Sequence, residues 1–195
     1  MPPPAPTDPI AAELAPRVRP PALADAGFLL RMLLVYVALH LLYGQLPNRW
    51  LAEVAYAHAF TQPAAALIGL VLPGEPVSAV AYQIRSPQLV LEIVRGCDGS
   101  GALFLLTAAL AASQCRMRER LLGFACGSAM VYGFNLLRLV VLYVLGTRAP
   151  TWYDPAHEFL FPGLLVMAVV VYFLLWSSLT IRRSADRAPA AADHP

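Results

Sequence analysis

Five apolar segments follow one another between two polar tails, at residues 28–46, 52–72, 100–113, 121–146 and 159–180. A bilayer core is about 30 Å thick, and a backbone inside it must satisfy its own hydrogen bonds. A run of about 20 apolar residues is therefore a candidate transmembrane helix. Residues 28–46, 121–146 and 159–180 meet that length outright. Residues 100–113 meet it only if extended through the preceding turn or tilted. Residues 52–72 are comparable in length but less oily, holding Glu53, His58, Gln62 and Pro63. With 58% hydrophobic and 13% charged residues, and a mean hydropathy of +0.60, the chain has more apolar material than a soluble domain of this length needs. The expected fold class is an α-helical integral membrane protein.

The tails and loops set the expected topology. Residues 1–26 are rich in Pro and Ala without a lasting apolar period, and read as a flexible cytoplasmic tail. No apolar core with a small-residue cleavage site begins near Met1, so a cleaved signal peptide is not expected. Residues 182–195 read as a second cytoplasmic tail, leaving 27–181 as a single membrane-embedded domain. Arg116, Arg118 and Arg120 follow the third segment, and Arg182, Arg183 and Arg187 follow the last. Arginines beside span ends favour the cytoplasm, and these two groups stand two spans apart, so they agree. Arg17 and Arg19 join the same side only if residues 52–72 lie on the outer surface or re-enter without crossing. The expected architecture is about four transmembrane helices, one outer interfacial or re-entrant helix and a small extracytoplasmic β-hairpin. Five spans with an outer amino terminus is the competing topology. The hairpin is expected from β-favouring runs at 77–84 and 88–94, separated by Arg85-Ser86-Pro87.

That hairpin leads into Gly96-Cys97-Asp98-Gly99, just before an oily helix. Glycines permit a tight turn there, and Asp98 or Ser100 can cap the helix. Cys97 then lies beside unpaired N–H groups at the positive end of a helix, where a thiolate is favoured. A buried, inert cysteine is the plainer alternative, but a polar turn at the water boundary is a poor place for one. Arg138 interrupts the fourth segment, and a guanidinium among apolar residues costs about 2.5–3.5 kcal/mol unless it finds a partner or a wet cavity. Asn135, three residues earlier on the same face, could hold it; the competing fate is snorkelling to lipid phosphate. His157 stands in "WYDPAHEF", where Asp154 and Pro155 mark the start of the last span. The expected topology brings thiol, guanidinium and imidazole to one membrane face. Such a set supports acyl transfer: a thiolate attacks a carbonyl, an imidazole moves the proton, and a guanidinium steadies the oxyanion or the thiolate.

Three stretches, "EIVRGCDG" opening a helix, "NLLRLVVLYVLG" and "AHEFLFPGLLV", stand in an order and spacing that resemble the exosortase/archaeosortase family of membrane-embedded cysteine transpeptidases. The resemblance covers about the last two-thirds of the chain and is weakest before Val77. It implies a nucleophilic cysteine at Cys97, the family's arginine at Arg138 and its histidine at His157. It also implies a bacterial inner-membrane enzyme with its site at the extracytoplasmic face. The implied substrates are exported proteins whose carboxyl end carries a short motif, a hydrophobic helix and a basic cluster, of the PEP-CTERM kind. Many members have more spans than this chain, and Asp98-Gly99 replaces the Ser- or Thr-Gly pair common after the cysteine.

Other residues take lesser expected roles. Glu92 and Glu158 read as solvated or hydrogen-bonded carboxylates, with orienting a partner or touching substrate as the alternative, and Asp98 reads as a cap rather than an acid. The three cysteines are an odd number in unlike surroundings, so a disulfide framework is not expected. Gly123 and Gly127 read as a close-approach step for another helix. Trp50, Trp152 and Trp176 read as interfacial anchors. A formal net charge of +2 is too small and scattered to suggest nucleic acid. No cofactor is expected; Cys97, Asp98 and His157 lack a recognisable metal spacing. Membrane lipid and exported proteins are the expected partners. The rival functions are a serine protease using Ser100 and His157, and a non-catalytic membrane assembly factor or transporter subunit.

Overall fold

A computed structural model describes residues 26–186. The expected amino-terminal tail, apart from Ala26, and residues 187–195 lie outside the described residues. The described chain is mostly helical. Helix α1 spans Ala26–Gly44 and α2 Asn48–Val71, the latter wound as a π-helix over Leu51–Thr61. Strands β1 Ser78–Val80, β2 Gln83–Arg85 and β3 Val90–Glu92 follow, then α3 Ser100–Ala112 and α4 Met117–Arg148. The last helix, α5 Phe161–Asp186, is entered through a 3-10 turn at Pro150–Trp152 and a π-wound turn at Ala156–Leu160.

Four helical segments are long and apolar enough to cross a membrane: Ala26–Gly44, Asn48–Val71, Met117–Arg148 and Pro150–Ile181. They are not the four expected from sequence. Helix α3 has 13 residues, about 20 Å at 1.5 Å per residue, which falls short of a bilayer core. It starts only after Gly99 and stops where Ser113 turns extended. Its apolar content serves internal packing instead, since α1, α4 and α5 all pack around it. Ala102, Ala108, Ala109 and Ala112 are buried along it, and such small side chains let neighbours close in. By contrast α2, expected as an outer helix, is long enough to span. Its residues from Leu51 to Ile68 nevertheless share one core cluster with the sheet residues Ile84, Leu91 and Ile93.

Helix α4 is the common wall. Val131 belongs to the cluster that joins Phe28 of α1, Leu106 and Leu110 of α3, and Leu165, Val169 and Phe173 of α5. Farther along, Leu139, Val140 and Tyr143 belong to the cluster with α2 and the sheet. Outward faces of α1 and α5 remain apolar, with Leu33, Leu34, Leu41, Leu42, Met167 and Leu175 exposed. Contiguous apolar surface of this kind is consistent with a multi-pass membrane protein.

Two further sequence expectations change. The hairpin is a three-stranded antiparallel sheet in the order β1-β2-β3. The run 77–84 folds back on itself between Val80 and Gln83, with Ala81 at φ +50°. No Gly or Asn announces that turn; the small Ala takes the left-handed backbone usually left to them. The carboxyl-terminal helix also continues to Asp186 rather than ending before Arg182.

The expected close-approach step holds. A Cβ at Gly123 would stand 2.5 Å from Trp176 Nε1, and one at Gly127 2.5 Å from Leu106 Cδ2 and 2.7 Å from Tyr172 Cε1. Trp176 is thus packed on α4, whereas Trp50 and Trp152 are exposed. Overpacking of this kind costs about 1–3 kcal/mol. Gly123→Val is expected to lower the thermal midpoint of the detergent-solubilised protein. Gly133→Ala, where a Cβ meets nothing within 4 Å, should leave that midpoint in place.

Candidate active site

One carboxylate organises the turn that carries Cys97. After β3, the Ile93 amide still donates to Tyr82 O at 2.8 Å, and the Cys97 amide donates to Val94 O at 3.0 Å, closing a tight turn. Gly96 (φ +92°) and Gly99 (φ +76°) take left-handed backbone on either side of it. Asp98 Oδ1 accepts from the Gly96 amide at 3.2 Å, the Ser100 amide at 3.3 Å and the Ser100 hydroxyl at 2.8 Å. Its Oδ2 accepts from the Tyr43 hydroxyl at the end of α1. The N-cap of α3 is Gly99 rather than Asp98 or Ser100, but Asp98 accepts from the first amide of the helix, that of Ser100, and ties the helix to α1.

The thiol faces the imidazole: Cys97 Sγ lies 3.3 Å from His157 Nε2, with the cysteine partly exposed. His157 belongs to the π-wound turn Ala156–Leu160, a local widening that re-aims side chains and is frequent at functional sites. The Tyr153 ring lies nearly parallel to the imidazole, at 5° and 5.7 Å between centroids, which restrains its tilt.

Arg138 is 3% exposed, so it is enclosed rather than snorkelling. Its Nη2 donates a long hydrogen bond, 3.4 Å, to the main-chain carbonyl of His157. Arg138 therefore touches the backbone of the turn that holds the imidazole. Its Nε is buried without a hydrogen-bond partner among the described residues. The expectation that Asn135 holds the guanidinium is corrected. Asn135 is fully buried, its amide N and O are both unpartnered, and it packs under Gly99, where a Cβ would lie 3.3 Å from its Cγ. The physical reason is crowding: the left-handed Gly99 turn descends onto Asn135 and fills the space beside it. A buried amide without partners costs free energy, so Asn135 is a destabilising feature of this part of α4.

Glu92 is not brought to this group. It is exposed on β3 and accepts a hydrogen bond from the Gln83 side chain. The Ser100 hydroxyl is turned into Asp98, and it is the Cys97 thiol that faces His157. Cys115 lies 3.3 Å from the Ser113 hydroxyl and Cys126 is exposed on α4, so neither joins Cys97. Among the described residues, no three His, Cys, Asp or Glu side chains are grouped to hold a metal ion.

Four residues at the site escape sequence reasoning. The Tyr43 and Tyr56 hydroxyls are 2.7 Å apart, extending the Asp98 contact into α2. Arg95 donates to Tyr43 O and Leu46 O, each at 2.6 Å, and to Asn48 Oδ1 at 2.8 Å. Its guanidinium also sits 4.9 Å from the Tyr43 ring centroid. Tyr153 is the fourth. Only Arg95 carries a sequence signal, a lone charge beside the Gly96-Cys97 turn; the tyrosines look like ordinary members of apolar segments.

Removing the organising carboxylate should be costly. Asp98→Ala strands two amides and two hydroxyls, and hydrogen bonds to a charged group are each worth about 1.5–3 kcal/mol. A loss on the order of 3 kcal/mol is expected from thermal unfolding in detergent. Tyr43→Phe, which removes one donor, should cost about half as much, and Glu92→Gln almost nothing.

Comparison of the chain with family models, curated proteins and solved structures returns no match.

Proposed function

We propose that the chain is a membrane-embedded cysteine peptidase or transpeptidase of the exosortase kind, acting on the carboxyl-terminal sorting signals of exported proteins. The observation that carries this reading is the 3.3 Å approach of Cys97 Sγ to His157 Nε2, with a buried guanidinium bonded to the backbone of the same histidine. A nucleophile within hydrogen-bond reach of a base that is itself oriented by a third group is the general requirement for covalent acyl transfer.

In this reading Nε2 of His157 takes the thiol proton, and Sγ attacks the scissile carbonyl carbon. The electron pair moves to the carbonyl oxygen, then returns as the C–N bond breaks. The imidazolium gives its proton to the departing amine, leaving a thioester on Cys97. Water or an acceptor amine or hydroxyl next loses a proton to His157 and attacks the thioester. The C–S bond breaks and the thiolate is restored. Arg138 helps to orient the imidazole through the His157 carbonyl, and its charge favours the anionic stages nearby.

The proposed setting is a bacterial inner membrane, with this group at the extracytoplasmic face. Exposed apolar faces on α1 and α5 support the membrane assignment, and the arginines of the α3–α4 loop favour a cytoplasmic side opposite the site. A second reading, a non-catalytic assembly factor or transporter subunit, draws on the same buried Arg138 and Asn135, which would then be contacts for polar cargo.

The two readings separate on one covalent species. Wild type should accumulate a thioester-linked polypeptide fragment that hydroxylamine releases and mass spectrometry identifies, ending before a hydrophobic tail. Cys97→Ala should lack it. Removal of general acid–base catalysis by His157→Ala should slow turnover by about 10²–10⁴-fold. Unchanged processing of exported proteins by Cys97→Ala would refute the catalytic reading and leave the assembly or transport role.

A further inference from the structure

Beside the catalytic turn lies a pocket of about 350 Å³ between the start of α2 and the end of the sheet. Leu51, Ala52, Ile93 and Val94 supply apolar wall, and Asn48, Tyr56, Tyr82 and Arg95 are the lining residues with polar side chains. Val94 is also the residue whose carbonyl receives the Cys97 amide. Residues at the two ends of such a turn have Cα atoms under about 7 Å apart. The wall of the pocket and the carrier of the thiol are therefore one short piece of backbone.

The polar atoms have definite unused capacity. The hydroxyl proton of Tyr43 is given to the Asp98 carboxylate, so the hydrogen bond between the phenols must be donated by Tyr56. The Tyr56 oxygen is left as an acceptor. A guanidinium has five N–H donors. Arg95 uses three of them, on Tyr43 O, Leu46 O and Asn48 Oδ1, so two remain. Among the described residues no carboxylate pairs with Arg95. The pocket thus offers apolar wall, the phenols of Tyr56 and Tyr82, the Asn48 amide and a cationic donor. A peptide unit bearing an apolar side chain supplies the matching set: a side chain for the wall, an N–H for the phenol and a carbonyl for the guanidinium.

We infer that this pocket is the subsite that holds an apolar residue of an extended substrate polypeptide, next to the scissile bond. The inference rests on Cys97 as the acyl-transfer nucleophile, and it adds where the flanking chain is read. At about 3.3–3.6 Å per extended residue, the pocketed side chain belongs about two or three residues from the carbonyl at Sγ. Tyr56 then has a double task, as acceptor for substrate and as the far end of the Tyr56–Tyr43–Asp98 chain that shapes the turn. A pocket of this volume is at the small end of ligand sites, suited to one or two side chains rather than a folded partner.

The test places a reporter thiol in the pocket of the full-length protein in nanodiscs: Ala52→Cys combined with Cys97→Ala. Alkylation of residue 52 by iodoacetamide is followed by mass spectrometry, with Cys115 of the α3–α4 loop as the internal reference. The probes are acetyl-Ala-Leu-Ala-amide and dihexanoyl phosphatidylcholine. The peptide is expected to protect residue 52 saturably, slowing alkylation about threefold at twice the concentration that halves it, as simple mass action requires. Cys115 should keep its rate. Adding Tyr56→Phe should weaken the protection. Protection by the lipid alone, protection by neither probe, or peptide protection indifferent to Tyr56→Phe would each overturn the inference. Because the reporter chain lacks Cys97, this outcome is independent of thioester formation. An absent thioester with intact peptide protection would defeat the catalytic reading alone; a thioester with an unprotected pocket would defeat the subsite alone.

Discussion

A single buried carboxylate holds the site together. Asp98 is 9% exposed, yet it accepts hydrogen bonds from two backbone amides, a serine hydroxyl and a phenol. Those contacts fold the glycine turn around Cys97, start α3 and bind α1 to both. An anion with several donors is stable in a place where an unpaired one would be expelled. The thiol's position follows from this arrangement, because the cysteine has no anchor of comparable strength of its own.

The opposite wall of the site depends on α4. Its amino-terminal half packs among α1, α3 and α5, and its carboxyl-terminal half, which carries Arg138, against α2 and the sheet. From there Arg138 reaches the carbonyl of His157 across the helix boundary. Thiol and imidazole, 60 positions apart in sequence, are thus set by two rigid supports: a hydrogen-bonded turn on one side and a packed helix on the other. The proposed chemistry asks for such rigidity, since a loosely held base loses its reach to the nucleophile.

What the sequence revealed and concealed has a physical basis. Cys97, Arg138 and His157 were legible because polar and reactive side chains are costly in apolar surroundings and so stand out. The glycine turn, and the Asp98 carboxylate that accepts from its amides, follow from local rules that need no knowledge of the rest of the fold. Tyr43, Tyr56 and Tyr153 were hidden because a tyrosine in an apolar segment is ordinary until its hydroxyl finds a partner. The Tyr43 partner lies 55 residues away. The wrong set of span-length helices has a similar cause: hydropathy records that α3 is apolar, but not that protein rather than lipid surrounds it. The Ala81 turn was missed because its residue carries no turn signature, and Asn135 was assigned to Arg138 by helical spacing alone. The descending Gly99 turn, a tertiary feature, claimed it instead.

The brevity of α3 bears on how such a protein is made. In a bilayer, a helix of 13 residues leaves uncovered backbone ends if it enters alone. It has to be delivered together with α4, or be held back until α1, α4 and α5 form a sheath around it. The segment that opens with the glycine turn thus gains its packing only from α1, α4 and α5, and Cys97 meets His157 only where that bundle is closed.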